Sequence, residues 1–528
     1  MHGKRLRSSW AVCGLTLGLL ACGKSGGGDG DSAGMGGEAG ASGDAAGAAS
    51  GAGTGGTSGG NAYGNAGAGG GSSSAVMPDF EGLPIAAIPT GKAPSGCTTA
   101  APGGEADTLV LTLDSTLKGV LISGKEGALL ANGVTCSAVA APKLVKVVGS
   151  AAADTVIVDF SLGELPASLK SGSIQVDGGA GTNKDTVAIA ATREGDQVKL
   201  GTASGVDNVQ VEGLPLVKLT GAETLIVTTG PGSDRIIAAG GDALGGALAT
   251  AIVVYGGADE DVIQGGAGAD QLHGGEGDDL FETAAASDGG DTYDGGNGDD
   301  SLSYERRTQP ITIKVDKQPN DGEAMERDDV QDNVETLIGG EGADTITAGD
   351  NANTLIGGPG NDQLNGGPGN DTFIETTTAK GADVMNGGPG VDLIDYSERS
   401  ADLSISLCIP VQSSCVTGRC DCPGDDGEKN EVDALVNIEN ATAGRGNDII
   451  AGSSADNVLV GNEGNDMMSG LAGDDTLYAG DGDDNLAGGP GDDTLYGNAG
   501  KDIMDAGDGQ GDICIIAPTE SHLNCELH

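Results

Sequence analysis

Residues 470–496 read Gly-Leu-Ala-Gly-Asp-Asp-Thr-Leu-Tyr, then Ala-Gly-Asp-Gly-Asp-Asp-Asn-Leu-Ala, then Gly-Gly-Pro-Gly-Asp-Asp-Thr-Leu-Tyr. These phrases share the template Gly-Gly-x-Gly-x-Asp-x-U-x, in which U is apolar. A fixed period this short is typical of a solenoid. The template predicts a glycine-rich turn in its first six positions, followed by a short strand with one buried side chain.

The aspartate at position six is the residue that indicates a function. One unit makes a turn and a strand, so the aspartates of alternate units should lie on one edge, about 4.8 Å apart. Carboxylates that close repel each other by roughly 1–3 kcal/mol. Aspartate also favours tight turns, but a run at constant pitch indicates a cation, and oxygen ligands suit Ca²⁺. The predicted calcium ligands are Asp261, Asp270, Asp279, Asp291, Asp300, Asp344, Asp362, Asp371, Asp383, Asp392, Asp448, Asp466, Asp475, Asp484, Asp493 and Asp502.

The phrase resembles the nonapeptide of the repeats-in-toxin (RTX), or hemolysin-type, calcium-binding family. The resemblance covers roughly residues 256–514 and rests on many tandem copies. It implies an all-β fold, a parallel β-roll, with calcium ions held between alternate turns on one edge. Asn353 and Asn457 replace the aspartate in two units, and an extra residue precedes Asp512, so we expect weaker sites there.

Part of the repeat region is duplicated. Asp270 recurs as Asp362, and a three-residue insertion recurs with it, so residues 256–442 are predicted to be two related modules. Each module ends in an excursion, beginning near Ile311 and Leu403, which we expect to be a β segment packed on the roll with an acidic loop. Residues 443–517 should form a regular roll, and residues 518–528 a C-terminal tail closed by a disulfide.

Residues 1–22 are predicted to be an export signal. A charged start precedes an apolar run that is too short to span a bilayer. Residues 19–23 read Leu-Leu-Ala-Cys-Gly, which resembles the lipobox of bacterial lipoproteins. Cys22 would then carry a lipid anchor at the outer membrane or cell surface; the alternative is ordinary secretion with an incidental cysteine. Residues 23–75 are rich in Gly, Ala and Ser, which predicts a flexible, disordered tether.

Residues 76–255 contain short alternating apolar runs bounded by Gly and Asp. They predict an irregular β-solenoid or a β-sandwich that leads into the roll. Their turns lack a regular aspartate, so we assign no metal ligand there. If the chain is an enzyme, its catalytic residues should lie in this domain.

Composition narrows the possible functions. The net charge of −53 argues against a nucleic-acid partner, because phosphate binding needs Lys and Arg. Export favours disulfides. We expect a Cys97–Cys136 and a Cys514–Cys525 bond, and two more bonds or a zinc cluster among Cys408, Cys415, Cys420 and Cys422.

The sequence thus predicts a calcium-binding surface lipoprotein with a role in adhesion or surface organisation. We expect no catalytic residue and no cofactor besides Ca²⁺. The alternative is a secreted enzyme with a catalytic domain at residues 76–255 on a calcium-binding scaffold. A toxin is disfavoured because the chain has no long apolar pore segment.

Overall fold

The computed structural model describes residues 108–515 apart from 114–116, 118, 126–127, 133, 138, 140–141, 162–164, 179–183, 242–243, 378–380, 408–425 and 429–430, together with residues 92, 94, 95, 97, 521–523 and 526–527. All of these residues belong to one compact unit, residues 72–528. The predicted export signal, its lipidation site Cys22, the tether and the excursion cysteines lie outside the described residues. Within the described ranges, no helix has the length and apolar character needed to cross a membrane.

One side of the molecule is a 20-stranded sheet, which we call the long sheet. Its strands are β1 (Thr108–Thr112), β5 (Leu144–Val148), β7 (Ser173–Asp177), β9 (Gln197–Ala203), β10 (Val206–Val211), β11 (Leu216–Thr220), β13 (Arg235–Ile237), β15 (Val262–Gln264), β17 (Leu280–Glu282), β19 (Ser301–Ser303), β23 (Thr336–Ile338), β25 (Thr354–Ile356), β27 (Thr372–Ile374), β29 (Leu393–Asp395), β33 (Asn440–Thr442), β35 (Val458–Glu463), β37 (Thr476–Asp481), β39 (Thr494–Ala499), β41 (Ile513–Ile515) and β43 (Glu526–Leu527).

The strands between them form three further sheets, which we call the first, second and third short sheets. The first contains β2 (Gly119–Lys125), β3 (Ala128–Ala131), β4 (Val134–Thr135), β6 (Thr155–Asp159), β8 (Thr186–Ala190), β12 (Thr224–Pro231), β14 (Ile252–Ala258), β16 (Gln271–Glu276), β18 (Thr292–Asn297) and β22 (Asp329–Val330). The second contains β20 (Ile311–Lys314), β21 (Gly322–Glu323), β24 (Thr345–Thr347), β26 (Gln363–Asn365), β28 (Val384–Asn386) and β32 (Ala434–Val436). The third contains β30 (Leu403–Ser406), β31 (Gly427–Glu428), β34 (Ile449–Ala451), β36 (Met467–Ser469), β38 (Asn485–Pro490), β40 (Ile503–Asp508) and β42 (Ser521–Leu523). A single short helix, α1 (Ala167–Lys170), occurs among the described residues.

Successive repeat units alternate between the long sheet and a short sheet. Strand β37 pairs in parallel with β39, while the intervening β38 pairs with β40 in the third short sheet. Two nine-residue units therefore complete one coil, and each coil stacks in register on the previous one. This arrangement confirms the predicted all-β parallel β-roll.

In the regular repeats, the core is a column of single apolar side chains, one from each strand. Leu477 pairs with Leu495 in the long sheet, and Leu486 pairs with Met504 opposite. These four side chains are at most 3% exposed. Burying each one stabilises the fold by about 1.5–3 kcal/mol, so the template's single U position supplies the apolar contact of each unit.

Residues 108–258 continue the same architecture. Strand β12 pairs in parallel with β8 and with β14, and β13 pairs in parallel with β9 and β15. The hairpin of β9 and β10 is antiparallel, which makes this part less regular. Strands that stack in parallel on two sides form an irregular β-solenoid. Of the two folds predicted for this region, a β-solenoid and a β-sandwich, the structure therefore has the first.

The excursions are part of the roll itself, whereas we expected them to be packed on it. Strand β20 pairs in parallel with β24 and opens the second short sheet, and β22 closes the first by pairing with β18. Ile311 and Ile313 are buried at 2% and 0% exposure, so this strand takes a core position. We call the side of the roll formed by the three short sheets the short side. The excursions mark the two places where the short side passes from one short sheet to the next.

Cys97 and Cys136 form the predicted disulfide. Cys514 is buried in β41, and its predicted partner, Cys525, lies outside the described residues.

Candidate metal centre

Each position-six aspartate ends a turn and faces the equivalent residue of the next turn on the same edge. In the turn before β37, the backbone amide of Asp475 donates a hydrogen bond to Oδ1 of Asp493 at 2.8 Å. Asp475 Oδ1 in turn accepts the amide of Asn457 at 2.8 Å. The aspartates therefore form rows that run along the stack.

Every aspartate predicted to bind calcium occupies such a position and is at most 2% exposed. In every one, Oδ1 accepts the backbone amide of the preceding turn in its row. The backbone thus satisfies Oδ1 of each carboxylate.

In most of these residues, the second carboxylate oxygen is buried and accepts no hydrogen bond from a described residue. This holds for Oδ2 of Asp261, Asp279, Asp300, Asp362, Asp371, Asp383, Asp392, Asp466, Asp475, Asp484 and Asp493. A buried charged oxygen without a partner costs at least about 1–3 kcal/mol, so its repetition along a row indicates a ligand.

The glycine at position one leaves room beside this oxygen. A Cβ on Gly488 would collide with Oδ2 of Asp493 and would lie 2.5 Å from the carbonyl oxygen of Ala506 in the next turn of the row. A Cβ on Gly256 would likewise meet Oδ2 of Asp261 and the carbonyl oxygen of Gly274. Each glycine thus borders a pocket where a carboxylate and a carbonyl oxygen from successive turns converge.

Burial of the carboxylates perturbs their titration. It raises the pKa of Asp261 to about 8, and the neighbouring carboxylates of Asp234 and Asp279 add to this rise. Burial also raises the pKa of Asp279 and of Asp466 to about 7. The protein matrix therefore does not balance these negative charges, and a cation among the oxygens would.

The donor set fits Ca²⁺. All the available atoms are hard carboxylate and carbonyl oxygens, and Ca²⁺ accepts irregular shells of six to eight oxygens. The unpaired Oδ2 atoms would supply charge, and the position-one carbonyls would complete the shell.

Three of the predicted ligands have a different environment. Oδ2 of Asp270 accepts the amide of Gly266 at 2.6 Å, and that of Asp344 accepts the amide of Gly340 at 2.6 Å. Oδ2 of Asp448 accepts the amide of Gly444 at 3.2 Å. Each of these aspartates is the first repeat aspartate in its row on the short side. The amide that its Oδ1 accepts comes from a preceding turn that does not follow the glycine template. These carboxylates are satisfied within the protein.

The two asparagines also hold their turns with direct hydrogen bonds. Nδ2 of Asn457 donates to the carbonyl oxygen of Glu439 at 2.6 Å, and Nδ2 of Asn353 donates to that of Glu335 at 3.2 Å. Oδ1 of Asn457 accepts the backbone amide of Ser453 at 2.6 Å, whereas the buried Oδ1 of Asn353 accepts no hydrogen bond from a described residue. In both cases a neutral amide oxygen replaces a carboxylate, and it is a poorer calcium ligand. That both sites are weaker stays a prediction.

The rows contain acidic residues that the repeat template did not predict. Asp328 and Asp433 end the rows of the first and second short sheets, and their Oδ1 atoms accept the amides of Asp291 and Asp383. Upstream, Asp234 is buried with an Oδ2 that accepts no hydrogen bond from a described residue. The template did not predict Asp328 and Asp433 because an excursion breaks the nine-residue period before each of them. Their equivalent places in the two duplicated modules could have identified them from the sequence.

Two buried arginines lie where the short side is interrupted. Nη2 of Arg307 contacts Asp288 at 2.6 Å and Glu326 at 2.8 Å. Nη2 of Arg399 contacts Glu375 at 2.9 Å and Glu431 at 3.2 Å. Both arginines are at most 1% exposed, so they supply fixed positive charge at these junctions. Their equivalent positions in the two modules could have revealed them in the sequence.

Stacked glycine–aspartate turns with converging buried oxygens define a calcium-binding parallel β-roll. The family model for the RTX calcium-binding nonapeptide repeat matches residues 253–281, 335–373, 442–477 and 478–513. The chain therefore contains RTX repeats, which bind Ca²⁺, and the resemblance found in the sequence is confirmed. A comparison with curated protein sequences gave no match.

Proposed function

We propose that the chain is a calcium-dependent surface lipoprotein whose roll folds when Ca²⁺ binds. The observation that carries the proposal is the row of buried Oδ2 atoms without a hydrogen-bond partner among the described residues, as in Asp475 and Asp493. Without a cation, each coil brings another carboxylate into the same row. With Ca²⁺, the ion joins two turns, so the free energy of binding contributes directly to folding.

Circular dichroism of the purified protein during calcium titration tests this coupling. We expect strand content and the thermal transition to rise cooperatively with Ca²⁺, while Mg²⁺ at equal concentration has little effect because it requires a smaller octahedral shell. A protein that is fully folded after metal removal and takes up no calcium would contradict the proposal.

The surface location rests on separate features of the chain. Residues 19–23 resemble a lipobox, and residues 23–75 have the composition of a tether that would hold the roll away from a membrane. RTX repeats are suited to binding Ca²⁺ at extracellular concentrations, which supports export of the protein. Labelling with a radioactive fatty acid should mark the wild-type protein and not Cys22→Ser; equal labelling of both would exclude this anchor.

Adhesion or surface organisation is the role that best suits an acidic calcium-ordered roll on a tether. In the same proposal the chain is not an enzyme. Its support is that residues 108–258 stack into the same solenoid as the repeats, with strands such as β8, β12 and β14 in register. Loss of cell–cell or cell–surface attachment in a deletion strain, restored by the gene and by external calcium, would support adhesion; unchanged attachment would count against it.

A further inference from the structure

A cluster of three buried carboxylates lies at the end of the second short sheet. It consists of Glu375, Asp383 and Asp433, and one oxygen from each lies within 4.8 Å of the other two. All three residues are at most 1% exposed. Only Asp383 belongs to the aspartates that the repeat template predicted.

The three-residue insertion brings Glu375 into this cluster. Glu375 directly follows strand β27 and takes the place that Gly366 holds in the preceding unit, at position one of a turn. Gly366 has no side chain at this position, and a Cβ there would collide with Oδ2 of Asp371. The longer turn between Glu375 and Asp383 therefore accommodates a carboxylate where an ordinary repeat has only backbone.

The hydrogen bonds within the cluster leave part of it unsatisfied. Oδ1 of Asp383 accepts the amide of Asp362 at 2.7 Å, and its buried Oδ2 accepts no hydrogen bond from a described residue. Asp433 accepts the amide of Asp383 at 3.0 Å and the hydroxyl of Tyr396 at 3.2 Å. Oδ2 of Asp383 is thus available to a ligand inside the cluster.

The neighbouring arginine cannot neutralise the cluster alone. Arg399 contacts Glu375, but its guanidinium also contacts Glu431 at 3.2 Å and Glu428 at 3.4 Å. One positive charge is therefore shared among glutamates, two of which lie outside the cluster. Asp383 and Asp433 receive no ion pair from it.

The first module provides an internal comparison. Thr283 directly follows β17 there and occupies the place of Glu375, and its hydroxyl donates to the carbonyl oxygen of Ser303. Asp288 on the inserted turn pairs with Arg307 instead. The three-carboxylate arrangement is thus specific to the second module among the described residues, and the module's fold does not require it.

We propose that Glu375, Asp383 and Asp433 bind one calcium ion in a carboxylate-rich site of a different kind from the repeat sites. Here a side chain replaces the backbone at position one. Three carboxylates in an irregular arrangement suit Ca²⁺, which accepts irregular shells of six to eight oxygens, better than Mg²⁺, which demands a near-ideal octahedron and keeps several waters. Because more carboxylates give tighter binding, the site should fill before the repeat sites do.

Calcium titration of the purified protein by calorimetry, with bound metal counted by atomic absorption, tests the site. Glu375→Gln should lose one bound calcium, or weaken the first binding step by on the order of tenfold or more. Glu431→Gln is the matched control because it contacts the same arginine from outside the cluster. It should keep the wild-type count and first step.

Unchanged binding in Glu375→Gln, or an equal loss in both variants, would overturn the proposal. If Glu375→Gln does not fold, terbium bound to Tyr396→Phe gives an independent readout. Tyr396 touches Asp433, so its loss should reduce the sensitised emission of the first equivalent of terbium without reducing the metal count, and unchanged emission would also overturn the proposal. A wild-type protein that binds no calcium would refute the proposed function as well, whereas failure of this site alone leaves that function intact.

Discussion

The backbone amide of Asp475 donates to Oδ1 of Asp493, eighteen residues further along the chain, at 2.8 Å. This bond joins two turns that are adjacent in space, and it fixes the carboxylate of Asp493 with its other oxygen buried. The backbone thus holds the carboxylate of each turn in a fixed position in the row. The same relationship, repeated along each row, makes the stack sensitive to calcium, to protons and to the size of the residue at position one.

Asp475→Asn should have opposite effects with and without calcium. Asparagine can still accept the amide of Asn457, but it removes a buried negative charge. We expect a loss of roughly 1–3 kcal/mol in stability at saturating calcium and no loss, or a gain, after metal removal. Urea unfolding in both conditions measures this, with Asp474→Asn, an exposed neighbour, as the control. The same loss in both conditions would mean that Asp475 acts only as a turn residue.

Gly488→Ala should remove one calcium site by filling it. The new Cβ would collide with Oδ2 of Asp493 and crowd the carbonyl oxygen of Ala506, so we expect weaker calcium binding and about 1–3 kcal/mol lower stability. Gly246→Ala is the control, because a Cβ there would meet no atom within 4 Å. Calcium counting and thermal unfolding compare the two. Similar behaviour of both variants would exclude a site beside Gly488.

Arg307→Met should destabilise the junction between the first and second short sheets. It would leave the buried carboxylates of Asp288 and Glu326 without their cation, at a cost of about 3–5 kcal/mol. Arg306→Met is the matched control, because the Arg306 side chain is 49% exposed in its pair with Glu282. Urea unfolding at saturating calcium distinguishes them. Equal stability of the two variants would show that the buried arginine is dispensable.

The stability of the metal-free protein should fall as the pH rises. Burial raises the pKa of Asp261 to about 8 and that of Asp279 to about 7, from 3.8, so the folded state binds protons more tightly than the unfolded chain. This contribution is complete below about pH 4 and is lost as the pH rises through 7 and 8. We expect a lower urea midpoint at pH 8 than at pH 5 without metal.

With saturating calcium the order should reverse, because protons then compete with the ion for the same carboxylates. Midpoints that do not depend on pH in the metal-free protein would mean that these aspartates are not buried together.

The regular part of the site could be predicted from the sequence because its geometry is local. A nine-residue period sets which side chain is buried, as in Leu477, and which carboxylate faces its neighbour, as in Asp475. The rows beyond the period could not be predicted in this way. Asp328 and Asp433 reach the same rows through excursions of different length, and only the pairing of β22 with β18 and of β32 with β28 brings them there.

The sequence by itself determined the coil, its apolar column and the calcium chemistry, because a repeated unit that folds one way must stack on its own copies. The tertiary structure decided which oxygens are left without a partner and where the short side breaks. It also decided that Glu375, Asp383 and Asp433 lie close together, while Arg399 forms an ion pair with only one of them, Glu375. Those features depend on distances between residues far apart in the chain, which a period cannot specify.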